Sequence, residues 1–182
     1  HGNRLLARAL GAAGVSRGAR TVTAWMRSRW GEAWDVHYYT GSMVAALIDG
    51  FQRELGAQAA TRCLDGCHEH ALAAAALAGW QCYGRAYVLV VTSGMVDEFR
   101  GTLANLARAG APGLIICAES PTGAWFAFQG ARNSEEDNLA VLSARGLAHA
   151  FVDRPAALDA QLAGLFAELD ARPQPAWLFA TQ

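Results

Sequence analysis

Apolar residues recur along this chain in two rhythms, and the alternation between them predicts an α/β protein. Leu5, Leu6, Ala9, Leu10 and Ala13 fall at helical spacing behind Asn3, which predicts a first helix over residues 4–13 that Gly14 ends. Residues 21–26 (TVTAWM) read as a short buried strand, and residues 27–40 (RSRWGEAWDVHYYT) as a polar, aromatic loop. A helix over 42–55 follows, with Val44, Leu47, Ile48 and Phe51 on one face. Residues 60–64 form the next predicted strand, Asp65 and Gly66 a turn, and residues 71–83 a helix of small residues. The run YVLVV at 87–91 is the clearest strand, Val-rich and apolar throughout, as suits burial on both faces. Beyond it lie a helix over 97–109 with Phe99, Leu103 and Leu106 inward, and a strand at 114–117 after the Pro112-Gly113 break. A long loop over 119–133 then leads to a helix starting near Ser134, where Ser134 and Asp137 make a capping-box pattern. A strand at 148–152, a helix from Pro155 to about residue 171 and a strand at 177–180 complete the series. Six short strands alternating with helices give a three-layer αβα arrangement around a mostly parallel six-stranded sheet, with residues 1–182 as a single domain.

Composition narrows the class. Apolar residues make up 53% of the chain and charged ones 17%, so a sizeable core is affordable and disorder is not expected. The formal net charge of −1 supplies no field for nucleic acid or an anionic membrane. All 15 basic residues are Arg, which excludes a phosphate-binding P-loop lysine or a lysine Schiff base within these residues. No apolar run is long enough to span a membrane, and the start His1-Gly2-Asn3-Arg4 does not resemble a signal peptide. Four cysteines (Cys63, Cys67, Cys82, Cys117) in a chain this long do not suggest a disulfide framework, so a cytoplasmic location is expected.

Candidate chemistry concentrates between residues 63 and 83. Cys63, Cys67, His68, His70 and Cys82 are metal-ligand types, but no C-x-x-C pair or H-E-x-x-H helix is present, and no metal ligand is assigned. Cys67 lies just ahead of a predicted helix and is a candidate nucleophile with His68 or His70; a small buried structural cysteine is the alternative. Gly14-Val15-Ser16-Arg17-Gly18 matches the G-x-S-x-G elbow formally, but it falls between a helix and a strand in the wrong order and reads as a surface turn. The aromatic stretch 30–39 fits a substrate wall, an interface or plain packing equally well. Glu69 stands where a strand's C-terminal end meets a helix N-terminus, the edge at which open α/β sheets bind ligands. Taken alone, it also suits an ordinary acid stabilising a helix N-terminus.

The segment CHEHALAAAALAGWQCYGRAYVLVVTSG resembles the pyrimidine-binding domain of thiamine diphosphate enzymes of the acetohydroxyacid synthase and 2-oxo acid decarboxylase group. The resemblance is carried by His68-Glu69-His70-Ala71, Tyr83-Gly84-Arg85-Ala86 and Thr92-Ser93-Gly94, and extends to residues 103–107, Ala127-Phe128-Gln129, Asp153-Arg154-Pro155 and the closing WLFAT. It implies that Glu69 is the glutamate that hydrogen-bonds the cofactor's aminopyrimidine ring and favours its imino tautomer. Thr92, Ser93 and Gly94 match the turn beside that ring. Asp35, His37, His68 and Gln129 are candidates on the substrate side.

The chain also departs from the family. Met95-Val96-Asp97 stands where relatives carry Pro-Gly and an Asn, and RSRWGEAWDVHYY replaces a Gly-x-Pro-Gly loop. No Gly-Asp-Gly occurs, the family's mark of the domain that holds the diphosphate and its Mg2+. The resemblance therefore implies half of a split enzyme: a subunit paired with a separate diphosphate-binding chain in an α2β2 heterotetramer, as in sulfopyruvate decarboxylase. The activity implied is decarboxylation of a 2-oxo acid, acyloin-type carboligation, or both. Two alternatives stay open: a non-catalytic or regulatory domain of the same fold, and an unrelated α/β enzyme using Cys67 and His68.

Overall fold

The computed structural model describes residues 11–39, 41, 44–92, 100–118, 135–152 and 154–180. Its strands are β1 (Trp34–Tyr38), β2 (Cys63–Asp65), β3 (Ala86–Thr92), β4 (Gly113–Ala118), β5 (His149–Val152) and β6 (Pro175–Ala180). They form one all-parallel sheet in the order β2-β1-β3-β4-β6-β5. The helices are α1 (Gly11–Trp30), α2 (Ala45–Leu55), the single turn α3 (Ala59–Arg62), α4 (Glu69–Tyr83), α5 (Arg100–Arg108), α6 (Glu135–Ala144) and α7 (Leu158–Ala171).

Strand alternation divides the core in two. Ala86, Val88 and Val90 of β3 pack with α1, α2 and α7, while Tyr87, Leu89 and Val91 pack with Leu72 of α4, Leu103 and Leu106 of α5 and Leu142 of α6. Both faces of the sheet are covered, which is why its central strands read as unbroken apolar runs. Each fully buried Val or Leu of β3 contributes about 2 kcal/mol of transfer free energy.

Three expectations are corrected. Residues 21–26 are not a strand; they lie inside α1, and so do Gly14 and the whole of Gly14-Val15-Ser16-Arg17-Gly18, which is therefore no turn. The burial pattern explains the helix, because Ala19, Val22, Trp25 and Met26 are buried at spacings of three and four while Arg20 and Ala24 are exposed. Packing on α7 overrides the β-propensity of Thr-Val-Thr. The Trp25 ring stacks on Phe166 of α7 at 3.9 Å, and Arg29 donates two hydrogen bonds to Asp170 of α7, at 2.8 and 2.5 Å.

The stretch 27–40 is not all loop, since it contains β1. Polar Asp35 and His37 broke the apolar pattern there. They point to the α4 side of the sheet while Trp34 and Val36 join the core on the other side. Residues 60–64, finally, are not one strand: α3 occupies 59–62, and only Cys63–Asp65 is extended. Arg62 anchors that turn by donating to the Trp34 carbonyl at 3.0 Å and to Gln58 Oε1 at 2.7 Å. The count of six strands held because β1 replaces the one misplaced at 21–26. The predicted loop at 119–133, with Trp125, Phe126, Phe128 and Gln129, lies outside the described residues.

Candidate functional site at the C-terminal edge of the sheet

In the order β2-β1-β3-β4, the chain leaves β1 for one side of the sheet and returns to add β3 on the other, so the winding reverses between β1 and β3. Ligand crevices of open parallel sheets form beyond the strand C-termini at such a reversal. Here that edge is lined by Tyr38 at the end of β1, Thr92 at the end of β3 and the β2–α4 turn beside them. In register, Tyr38 faces Asp65 of β2 and Val90 of β3.

The β2–α4 turn is tightly specified. The Gly66 N–H donates to the Tyr38 carbonyl at 2.9 Å, one step beyond the ladder. A Cβ at Gly66 would stand 2.3 Å from Leu72 Cδ2, so any larger residue would force the buried Leu72 side chain to move. His68 is the N-cap: its backbone is extended (φ −167°, ψ 168°) and its Nδ1 accepts the Ala71 N–H at 3.2 Å. Glu69 is the first residue of the helix, an acid at the positive end of the helix dipole. The Ala-rich body of α4 favours helix throughout, and Gly84 closes it in the left-handed conformation (φ 62°).

Helix α4 runs parallel to α5 and is tied to it at both ends. Thr102 Oγ1 lies 3.3 Å from His70 Nδ1, and Trp80 Nε1 donates to the Ala109 carbonyl at 3.1 Å. Glu69 is thus placed between a capped residue and a cross-linked one. It is half-buried, and its carboxylate has no ion-pair partner among the described residues, whereas Glu32, Asp35, Asp49, Glu54, Asp159 and Asp170 each have one. A free carboxylate beside a strand-end crevice is an acceptor available to a ligand N–H.

Other predicted residues are placed as follows. Thr92 is half-buried at the end of β3, next to the reversal; Ser93, Gly94 and Gln129 lie outside the described residues. Asp35 sits near the start of β1, towards the opposite edge of the sheet from Glu69. Arg85 grips it there, donating from Nε at 2.5 Å and from Nη2 at 2.6 Å. Arg85 also reaches the Glu32 and Trp34 carbonyls, and Arg62 pairs with Glu32 and stacks over Trp34 at 4.6 Å. Burial, then Arg85 and Arg27, hold the Arg62 guanidinium down to about 10. This network joins the entries of β1, β2 and β3. His37, two residues along from Asp35 on the same face, is buried, and burial pushes its pKa below the ordinary 6.5, with Asp35 opposing and Arg85 assisting.

Cys67 is exposed and is therefore not the buried structural thiol that was one reading of it. Nor does it hydrogen-bond to His68 or His70 among the described residues, and His68 Nδ1 is engaged as the cap, so no thiol–imidazole pair is formed. Cys82 follows Glu69 by 13 residues on the same helix, about 20 Å at the α-helical rise, too far to share a metal with Cys67. No group of three or more His, Cys, Asp or Glu able to hold a metal ion occurs among the described residues. Likewise, none of the described helices is long and apolar enough to cross a membrane. A recess of about 470 Å3, lined by His149, Gln161, Glu168, Arg172 and Gln174, lies between the start of β5 and α7, away from the β2–α4 turn.

Sequence reasoning missed Thr102, the partner of His70, and the packing need at Gly66. Both are tertiary facts with no local signature. The capping role of His68 carried a faint one, a polar residue immediately ahead of a helix.

No model of a protein family matches the chain. Over 151 residues the chain is 41% identical to thiamine diphosphate dependent-3-acetyloctanal synthase PigD of Serratia marcescens. Over 149 residues it is 40% identical to the protein of the same name from Serratia sp. (strain ATCC 39006). These alignments cover 83% and 82% of this chain but 17% of each relative, so the chain spans less than a fifth of the length of the curated relatives it matches. The chain is similar, over most of its length, to one segment of thiamine diphosphate-dependent synthases.

Proposed function

We propose that this chain is the pyrimidine-binding part of a thiamine diphosphate-dependent enzyme that acts on a 2-oxo acid by decarboxylation, acyloin-type carboligation or both. The observation that carries the reading is the half-buried Glu69 carboxylate, without an ion-pair partner among the described residues, at the first turn of α4 beside the winding reversal of a parallel sheet. Glu69 would accept a hydrogen bond from a ring nitrogen of the aminopyrimidine, with Thr92 at the neighbouring strand end; Ser93 and Gly94, which match the family's motif in sequence, would take part with it. When bound, the cofactor supplies an electron sink for cleaving or forming a bond to a carbonyl carbon. The part of this chain is to bind and orient the ring and to hold the proton at that nitrogen. The relatives are named for making 3-acetyloctanal, an aldehyde bearing an acetyl group, which favours carboligation.

The diphosphate and its Mg2+ are assigned to a further domain, because these residues contain neither Gly-Asp-Gly nor a described metal cluster. The exposed face of α4 supports such a partner. It presents Ala74, Ala75, Ala78, Gln81, Cys82 and Tyr83 without a single charge, a surface suited to burial against protein. In the two relatives the matching segment belongs to a much longer polypeptide, an arrangement distinct from a separate subunit in an α2β2 assembly. Native mass spectrometry of the protein purified from its own cells separates the two forms.

The functional test is Glu69→Gln, which keeps size and removes the charge. The variant is expected to assemble normally and to lose turnover with a 2-oxo acid donor in the presence of thiamine diphosphate and Mg2+. Full activity in that variant ends the proposal.

A further inference from the structure

We propose that His68 is a positioning residue for Glu69: its neutral imidazole caps α4, and protonation loosens the first turn of that helix. The functional half of this inference rests on the reading of Glu69 given above, and the structural half stands without it.

The capping bond calls for one form of the ring. His68 Nδ1 accepts the Ala71 N–H at 3.2 Å, which requires a lone pair on Nδ1 and therefore the neutral ring with its proton on Nε2. An imidazolium has two N–H donors and no acceptor, so protonation converts the cap into a donor facing a donor. It also adds a positive charge at the positive end of the helix dipole. Ser, Thr, Asn and Asp are the usual caps. What sets a histidine apart is that imidazoles ordinarily change charge between pH 5 and 8.

The position also matters. Glu69 is the next residue, and on its other side His70 is bonded to Thr102, which is buried. The Ala71 and Leu72 N–H groups also donate to the His68 carbonyl, at 3.1 and 3.4 Å, so loss of the side-chain cap loosens the turn that carries the carboxylate and does not free it. Among the described residues, the titratable groups near His68 in the chain are Asp65, Cys67, Glu69 and His70, with Tyr38 at the end of β1 bonded to Gly66 through its carbonyl. From α5, among the described residues, Thr102 contacts the neighbouring His70 and does not titrate in this range. The His68 and His70 rings lie parallel with centroids 6.4 Å apart, so charging both would add mutual repulsion to the lost cap.

The test uses hydrogen exchange by mass spectrometry on the intact, full-length protein without added cofactor, at pH 8 and pH 5, corrected for the intrinsic pH dependence of exchange. Peptides covering residues 68–72 are followed in wild type, His68→Asn and His68→Ala. Asn keeps a capping oxygen that does not titrate, whereas Ala removes the cap. Wild type is expected to lose about fivefold of its protection in this turn at pH 5, the scale of a missing N-cap. His68→Asn should stay protected at both values, and His68→Ala should show the reduced protection at both. Equal protection of wild type at the two pH values, or full protection in His68→Ala at pH 8, overturns the cap.

Calorimetric titration of the same proteins with thiamine diphosphate and Mg2+ supplies the second readout. Weaker binding in His68→Ala, restored in His68→Asn, supports positioning of Glu69. A lost cap with unchanged affinity overturns it. If wild type binds no thiamine diphosphate at all, the reading of Glu69 fails, and the exchange data still decide the cap.

Discussion

Replacing Asp35 by Ala separates an anchoring role from a catalytic one. The Asp35 side chain is 11% exposed and takes two hydrogen bonds from Arg85, while Arg62 Nε lies 4.0 Å away. Removing one partner of a buried ion pair costs about 3–5 kcal/mol, against about 0–1 for an exposed pair. Arg85 is 30% exposed and keeps its bonds to the Glu32 and Trp34 carbonyls, which moves the expectation to the low end, about 3 kcal/mol. With a urea slope of about 2–3 kcal/mol/M, the unfolding midpoint should fall by about 1–1.5 M. Tryptophan fluorescence reports the transition, since the fully buried Trp34 precedes Asp35. In a double-mutant cycle with Arg85→Ala, the two losses should not add, with a coupling of about 1–3 kcal/mol. A midpoint shift below about 0.3 M, or additive losses, refutes the anchoring argument. A fall in turnover at unchanged stability would instead return Asp35 to the acid/base candidates of the sequence.

Two further outcomes follow from the same core. Burial holds the folded-state pKa of His37 below its ordinary 6.5, so on acidification the unfolded chain binds a proton there before the folded one does. Its contribution to stability is present above 6.5 and is lost as the pH falls from there through the lowered folded value, by at most about 1.4 kcal/mol per pH unit. His37→Gln should flatten that slope in urea midpoints taken at pH 7, 6 and 5, and an unchanged slope contradicts the assignment. Native alkylation at pH 8 should modify the exposed Cys67 and Cys82 and spare Cys63 and Cys117. These two are buried, and burial pushes the Cys63 thiol up to about 11. Mass spectrometry showing Cys63 labelled as fast as Cys67 would contradict the placement of β2.

The sequence was most legible where a single rhythm governs. The apolar run at 87–91 announced β3, and the Ala-rich stretch announced α4, because burial on both faces and helix propensity act locally. It failed where a distant partner decides. TVTAWM is helical because Phe166 and Asp170 of α7 receive Trp25 and Arg29, and no window of 10 residues around TVTAWM contains α7. The sequence WDVHY concealed a strand because its acid is neutralised by Arg85, 50 residues on. The place of Glu69 at a strand-to-helix junction was readable, since polar turn residues between an apolar strand and a helix leave few options. Its lack of an ion-pair partner among the described residues was not, because that depends on where distant arginines fold to.

Those arginines have a consequence for how such a protein can change over time. The guanidinium groups of Arg62 and Arg85 gather at the edge where the strands begin, and Glu69 lies at the edge where they end. If Glu69 binds the cofactor as proposed, anchorage and recognition are handled by different sets of residues at opposite poles of one sheet. Substitutions in the turns around Tyr38, Thr92 and the start of α4 leave untouched the ion pairs that hold the strands in order. A library confined to that upper rim should therefore retain folded members at a higher rate than one of equal size spread over both edges.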